Sequence, residues 1–235
     1  MKKIFAYSIA LVLALVFNGC EDKKSNTNGS NTVASNTTVC TGGGIVKHGY
    51  QLPPCPDPIE NDKTLLGVDT NNNGVRDDVE IWIYHTYDTY KNCTRVEVEQ
   101  VIYNGTVLGT AFKTVCSDEE IPYHQIVREI AMQWARTFQI VIQEPEKARE
   151  TVGLMHNAID CEWYFGHRAN KLNEPILIDD YNLYKELDNI QFNTIQRARA
   201  YSEYNFHLGG GVYGSTPYEE LRSKCDFNIN ALLGK

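Results

Sequence analysis

Residues 69–80 read DTNNNGVRDDVE and fit the pattern D-x-[DN]-x-[DN]-G-x5-E at every specified position. That spacing is suited to a hard cation that takes six to eight oxygens in a flexible shell, which selects calcium. Asp69, Asn71 and Asn73 alternate, so each can turn a side-chain oxygen to one centre. Gly74 allows the sharp turn that a side chain would obstruct, and the Val75 carbonyl follows it. Asp77, ninth in the loop, ligates directly or through water. Glu80, twelfth, can close the shell with both carboxylate oxygens from the first turn of a helix. Asp77 and Asp78 suit that helix start, because acidic groups complement its positive end. The plainer alternative is an Asn/Gly-rich turn that only caps the helix.

The segment resembles the EF-hand and the related calcium loops of bacterial extracellular proteins. It departs from them at the eighth position, where Arg76 stands in place of a branched apolar residue that pairs with a second hand. Leu65, Leu66, Gly67 and Val68 are also too short and glycine-broken for an incoming helix. Both departures imply a solitary structural site, with an affinity on the order of 10⁻⁴ to 10⁻³ M.

A cellular address precedes the loop. Lys2 and Lys3 lead into an apolar run from Ile4 to Phe17, then Asn18, Gly19 and Cys20. The run is too short to span a membrane and has the layout of a secretory signal over residues 1–19. A small residue before cysteine resembles the lipobox of bacterial lipoproteins, although Phe17 and Asn18 replace its usual residues. The implied modification is a lipid, palmitate included, on Cys20. Ordinary cleavage or an uncleaved anchor are the alternatives. Eleven of the nineteen residues 21–39 are Ser, Thr or Asn, so residues 20–45 read as a disordered tether. As a flexible coil the first nineteen would span about 25 Å. With this leader, the chain resembles uncharacterised small lipoproteins that carry one DxNxNG loop. The expected location is the bacterial cell envelope, on the outer rather than the inner membrane, with the domain in the periplasm or at the surface.

The formal charge is −8, and losing residues 1–19 removes Lys2 and Lys3 and makes it −10. No basic patch is present, so nucleic acid is not an expected partner, and the lipid rather than charge should make the membrane contact. Apart from Cys20 there are six cysteines, an even number in an exported chain, which implies disulfides. Asn104-Gly105 between β-prone runs is a strong hairpin signal. A two-residue turn there sets Cys93 opposite Cys116. Proximity and elimination then give Cys40–Cys55 and Cys161–Cys225. The spacings match no zinc site.

The elements that must position these residues are mostly helical. Helices are expected over about 77–91, 122–143 and from Pro145, with a longer one over about 180–206 whose buried stripe is Leu183, Leu187, Ile190, Thr194, Ala198 and Tyr201. A capping box at Thr216–Glu219 starts a last helix. The fold class is mainly α: one disulfide-stapled helical domain over residues 46–235, with a β-hairpin at about 94–115.

Other chemistry is sparser. Residues 209–216 read GGGVYGST but lack the lysine of a phosphate loop, so they read as a link. His156, Asp160, Glu162 and His167 could in principle form an acid–base or hydrolase-type site, but no catalytic signature accompanies them. Trp82, Tyr84, Tyr87 and Tyr90, with Trp163, Tyr164 and Phe165, either fill the core or line a groove for an envelope glycan or protein. The expectation is a non-enzymatic envelope lipoprotein with a structural calcium loop.

Overall fold

The computed structural model describes residues 40–104, 106–168, 183–209 and 214–234, without the side chains of 92–95, 99, 101, 102, 108, 167, 168 and 183–185. Contact clustering separates residues 1–35 from Asn36–Lys235. All described residues belong to the second. The signal segment, Cys20 and residues 21–39 lie outside the described residues, so the address is an expectation only.

Folded structure begins earlier than residue 46. Cys40 and Cys55 form a disulfide with a Cα separation of 5.7 Å. It closes a loop around a small hairpin, β1 (Val46–Lys47) and β2 (Tyr50–Gln51). Residues 44 and 45 bond back across the loop, Gly44 N–H to the Pro53 carbonyl and Leu52 N–H to the Ile45 carbonyl. Asp57 caps a single helical turn, α1 (Pro58–Asp62), by accepting from Ile59 and Glu60 N–H.

After the loop, α2 (Asp77–Thr86) is shorter than expected and stops at Tyr87, whose ψ of 43° leaves the helical region. Thr89 and Tyr90, β-prone residues, instead pair with Pro122 and Ile121. The hairpin is therefore longer than expected: β3 (Thr89–Tyr103) pairs antiparallel with β4 (Thr106–Pro122). Asn104 takes a φ of +51°, as a tight hairpin turn requires. Between that turn and Cys93 the ladder slips twice, and once more between Cys93 and Lys91. Leu108 is extra on β4 and Val98 is extra on β3, so the second bulge cancels the first. Cys93 and Cys116 consequently stand opposite each other, as the two-residue turn implied, and Cys116 is disulfide-bonded.

The helical body is organised on α3 (Gln125–Val141), which His124 caps through its ring. Ile126, Ile130, Trp134, Phe138 and Val141 are buried as their spacing required. Arg128, Gln133, Thr137 and Gln139 are buried too, so α3 is enclosed on most sides by α2 and the later helices. A 3₁₀ turn at Pro145–Lys147 leads into α4 (Ala148–Trp163), continued by a π turn at Tyr164–Arg168. Cys161 joins Cys225 at a Cα distance of 4.9 Å, stapling α4 to a 3₁₀ segment at Tyr218–Lys224. The short α7 (Ile229–Leu232) closes the chain. Thr216 does not cap that segment, because its hydroxyl bonds Asp160 on α4.

The helix expected over 180–206 is two helices, α5 (Leu183–Gln191) and α6 (Ile195–Leu208). Thr194, read as part of a buried stripe, is the N-cap of α6 and accepts from Arg197 N–H at 3.2 Å. The break resets the helical phase. Leu187 and Ile190 are buried as expected, but on α6 the buried residues are Arg197, Ala200 and Tyr204, and Ala198 is exposed. The domain is mainly α and disulfide-stapled, with one long ribbon and one minimal hairpin.

Candidate metal centre

The loop folds around its own side chains. Asp69 accepts from Asn73 N–H at 3.2 Å and from Gly74 N–H at 2.9 Å. Asn71 Oδ1 accepts from Asn73 N–H, and Asn73 Oδ1 from Val75 N–H. Gly74 sits at φ +82°, the conformation for which the position needs glycine. Asp77 opens α2, with its N–H on the Val68 carbonyl at 2.8 Å and its Oδ1 accepting from Thr70 N–H at 3.0 Å. These bonds close residues 69–77 into a compact turn.

Two carboxylates lie beneath it, and both are inaccessible to solvent: Asp77 and Glu80. Asp77 Oδ2 is buried with no hydrogen-bond partner. Glu80 is covered by neutral donors, Asn71 Nδ2 at 3.1 and 3.3 Å and Asn73 Nδ2 at 2.8 Å, with the Tyr50 phenol beside it. Neither carboxylate forms an ion pair with a described residue. Burial accordingly pushes the pKa of each upward, and the hydrogen bonds to Glu80 only partly offset this. Asp69, Asn71, Asn73, Asp77 and Glu80 are thus gathered in one loop beside buried Val75. The donors are hard oxygens, and the orphaned Asp77 oxygen is one that a cation would satisfy, so the residues fit calcium. Among the described residues no three His, Cys, Asp or Glu side chains converge as a metal group. Any shell here would draw on carboxamide and carbonyl oxygens as well.

Sequence reasoning missed what holds the loop. Arg76 is wholly buried and faces no second hand. Its guanidinium donates to the Ile190 and Gln191 carbonyls at 2.6 and 3.1 Å, the C-terminal end of α5, and pairs with Asp78. Arg197, equally buried, donates to the carbonyls of Asn61, Thr64 and Leu65 and to Asp62. Asn193, in the break between α5 and α6, accepts from both arginines. Asn61 and Gln139 finish the incoming strand of the loop by bonding Val68 N–H and the Leu66 carbonyl. Gly67 belongs to the same arrangement, since a Cβ there would lie 2.3 Å from Arg76 Cδ. An arginine at a position that usually holds an apolar residue was the available signal.

The other candidates sit elsewhere. Asp160 is bonded by Thr216, Glu162 by Trp134 Nε1 at 2.7 Å, and the side chain of His167 lies outside the described residues. Burial raises the Glu162 pKa to about 7. Tyr84, Tyr87, Tyr164 and Phe165 are core residues, while Tyr90 and Trp163 are partly exposed. Large apolar side chains are exposed instead along the ribbon, Val98, Tyr103 and Val107 above half. Among the described residues no helix is long and apolar enough to cross a membrane. Comparison with protein-family models, with curated proteins and with solved structures finds no match.

Proposed function

We propose that this protein is a non-enzymatic lipoprotein of the bacterial cell envelope whose loop 69–80 is a structural calcium clasp. The supporting observation is the pair of fully buried carboxylates, Asp77 and Glu80, one with an orphaned oxygen and neither with a cationic partner. Burying such groups is costly unless positive charge is supplied. A bound divalent cation would supply it. Asp69, Asn71, Asn73, the Val75 carbonyl, Asp77 and Glu80 would hold it, and the chain itself contributes the rigid frame of Arg76 and Arg197. The clasp would join the disulfide-closed N-terminal loop to α2 and, through Arg76, to α5. Lipid on Cys20 would hold this domain at the membrane.

Calcium binding to the folded state alone stabilises by RT ln(1 + [Ca]/Kd), about 1.4 kcal/mol at ten times Kd. For a domain of this size that is a rise in Tm of about 3–6 °C. Thermal unfolding in millimolar calcium and in chelator measures it, and coincident curves would dismiss the clasp. The anchor has a separate readout: Cys20→Ala should abolish labelling by radioactive palmitate in a bacterial host, and label retained in the variant would dismiss lipidation there.

A further inference from the structure

The loop closed by Cys40–Cys55 lies along one face of α2, and the residues it touches are spaced by a helical turn. Gly42 and Gly43 are packed too closely for a Cβ, the first against His85 and the second against Cys55 and Ile81. Lys47 and His48 both pair with Asp88 at 2.8 Å. Between them, Tyr50 stacks on Tyr84 with ring centroids 4.8 Å apart and planes 16° from parallel. Glu80 and Tyr84 are four residues apart on α2 and Asp88 lies just past its end, so this strap runs along one face of the helix to its C-terminus.

The Tyr50 ring carries its hydroxyl past Tyr84 into the calcium loop. There the phenol oxygen lies beside the Glu80 carboxylate. It also lies 3.5 Å from Asn71 Nδ2 and 3.4 Å from Asn73 Nδ2, the two amides that cover Glu80. A glutamate that must present both oxygens has several rotatable bonds to fix. The stacked phenol, held at both ends of the strap, removes that freedom.

We propose that Tyr50 is a positioning residue of the calcium clasp, acting on the metal through Glu80 and delivered by the disulfide-closed strap. The inference rests on the calcium reading above. Partners of this kind in the outer shell of a metal site are commonly worth about tenfold or more in affinity. Tyr50→Phe tests it, since the ring and its stacking on Tyr84 remain and only the hydroxyl is lost. Calcium titration of the intact domain by calorimetry should give a dissociation constant about tenfold weaker for the variant. Its melting temperature in chelator should change much less than its calcium-induced rise. A packing role would do the reverse, lowering both melting temperatures equally and leaving the titration unmoved, and that result overturns the inference. Wild-type protein that binds no calcium overturns both this inference and the clasp. Wild-type binding matched by Tyr50→Phe overturns this inference alone.

Discussion

Replacing Glu162 by glutamine should stabilise the protein above neutral pH and leave it nearly unchanged in mild acid. Glu162 lies on α4 against α3, and its Oε2 accepts from Trp134 Nε1 at 2.7 Å. Burial is the larger influence on its titration and lifts it from the usual 4.5 to about 7, against the opposing pull of that bond. A carboxyl whose pKa is raised by folding contributes stability in its protonated form. That contribution is complete below about pH 4.5, the unfolded value, and is lost as pH rises through about 7. The gap of about two and a half pH decades corresponds to about 3 kcal/mol at 1.36 kcal/mol per decade. The group retains some solvent access, so about 2 kcal/mol is the working figure. Glutamine keeps an oxygen for the indole N–H and has no charge to bury. The variant should therefore melt about 4–8 °C above wild type at pH 8 and within about 2 °C of it at pH 4.5. Asp188 on α5, lifted by burial to about 6, titrates identically in both proteins and cancels in the difference. Calorimetric melts of both proteins across this range, at fixed calcium, give the comparison. A wild-type Trp134 emission change centred near pH 7 and absent in the variant would be the companion signal. A difference between the two proteins that does not vary with pH would refute the reasoning.

Two further substitutions probe the frame and the clasp. Arg197→Met leaves the carbonyls of Asn61, Thr64 and Leu65 and the Asp62 carboxylate without their shared donor. Removing one partner of such a buried network costs about 3 kcal/mol or more, a Tm loss of about 6–12 °C. Calcium titration should weaken as well, because the freed segment leads directly into Asp69, and an unchanged melt would contradict the assigned role. Glu80→Gln removes one of the two buried carboxylates, so its melting temperature in chelator should equal or exceed that of wild type while the calcium-induced rise disappears. Persistence of that rise in Glu80→Gln would exclude Glu80 from the clasp.

The parts of the fold that the sequence made legible are those where local chemistry decides alone. The stripe from Ile126 to Val141 has one continuous helical period and no competing cap, and it is buried as read. Asn104-Gly105 fixes its turn by backbone preference, and the opposition of Cys93 and Cys116 survives two bulges only because they lie on opposite strands. The failures occur where a distant partner outbids local periodicity. Thr194 has the spacing of a core residue, yet its hydroxyl caps α6, and Asn193 beside it is drawn to two arginines. Lys91 could extend α2, but its neighbours on β3 gain a ladder with β4. Within the loop, ligand spacing is written in twelve consecutive residues. Tyr50 is not, since the eighteen residues between it and Asp69 carry no periodicity, and only the Cys40–Cys55 bridge hints that it is pinned.

Arg76 shows why the eighth position can depart from the EF-hand pattern without undoing the loop. In a paired hand that residue is held by the strand of a second loop, which gives each site a rigid wall. Here the rigid wall is α5, reached through a guanidinium whose donors are spent on two terminal carbonyls, Asp78 and Asn193. Those carbonyls are the orphaned acceptors of a helix end, so the arginine satisfies them while complementing the negative end of the helix dipole. Arg197 does the same for the residues that lead into the loop. An exchange of the second hand for two buried arginines fixes the loop to the core of its own domain. Those bonds tie the loop to α5 and α6, whereas a calcium sensor requires helices that open and close. If the loop binds calcium as proposed, the same bonds hold it as a clasp.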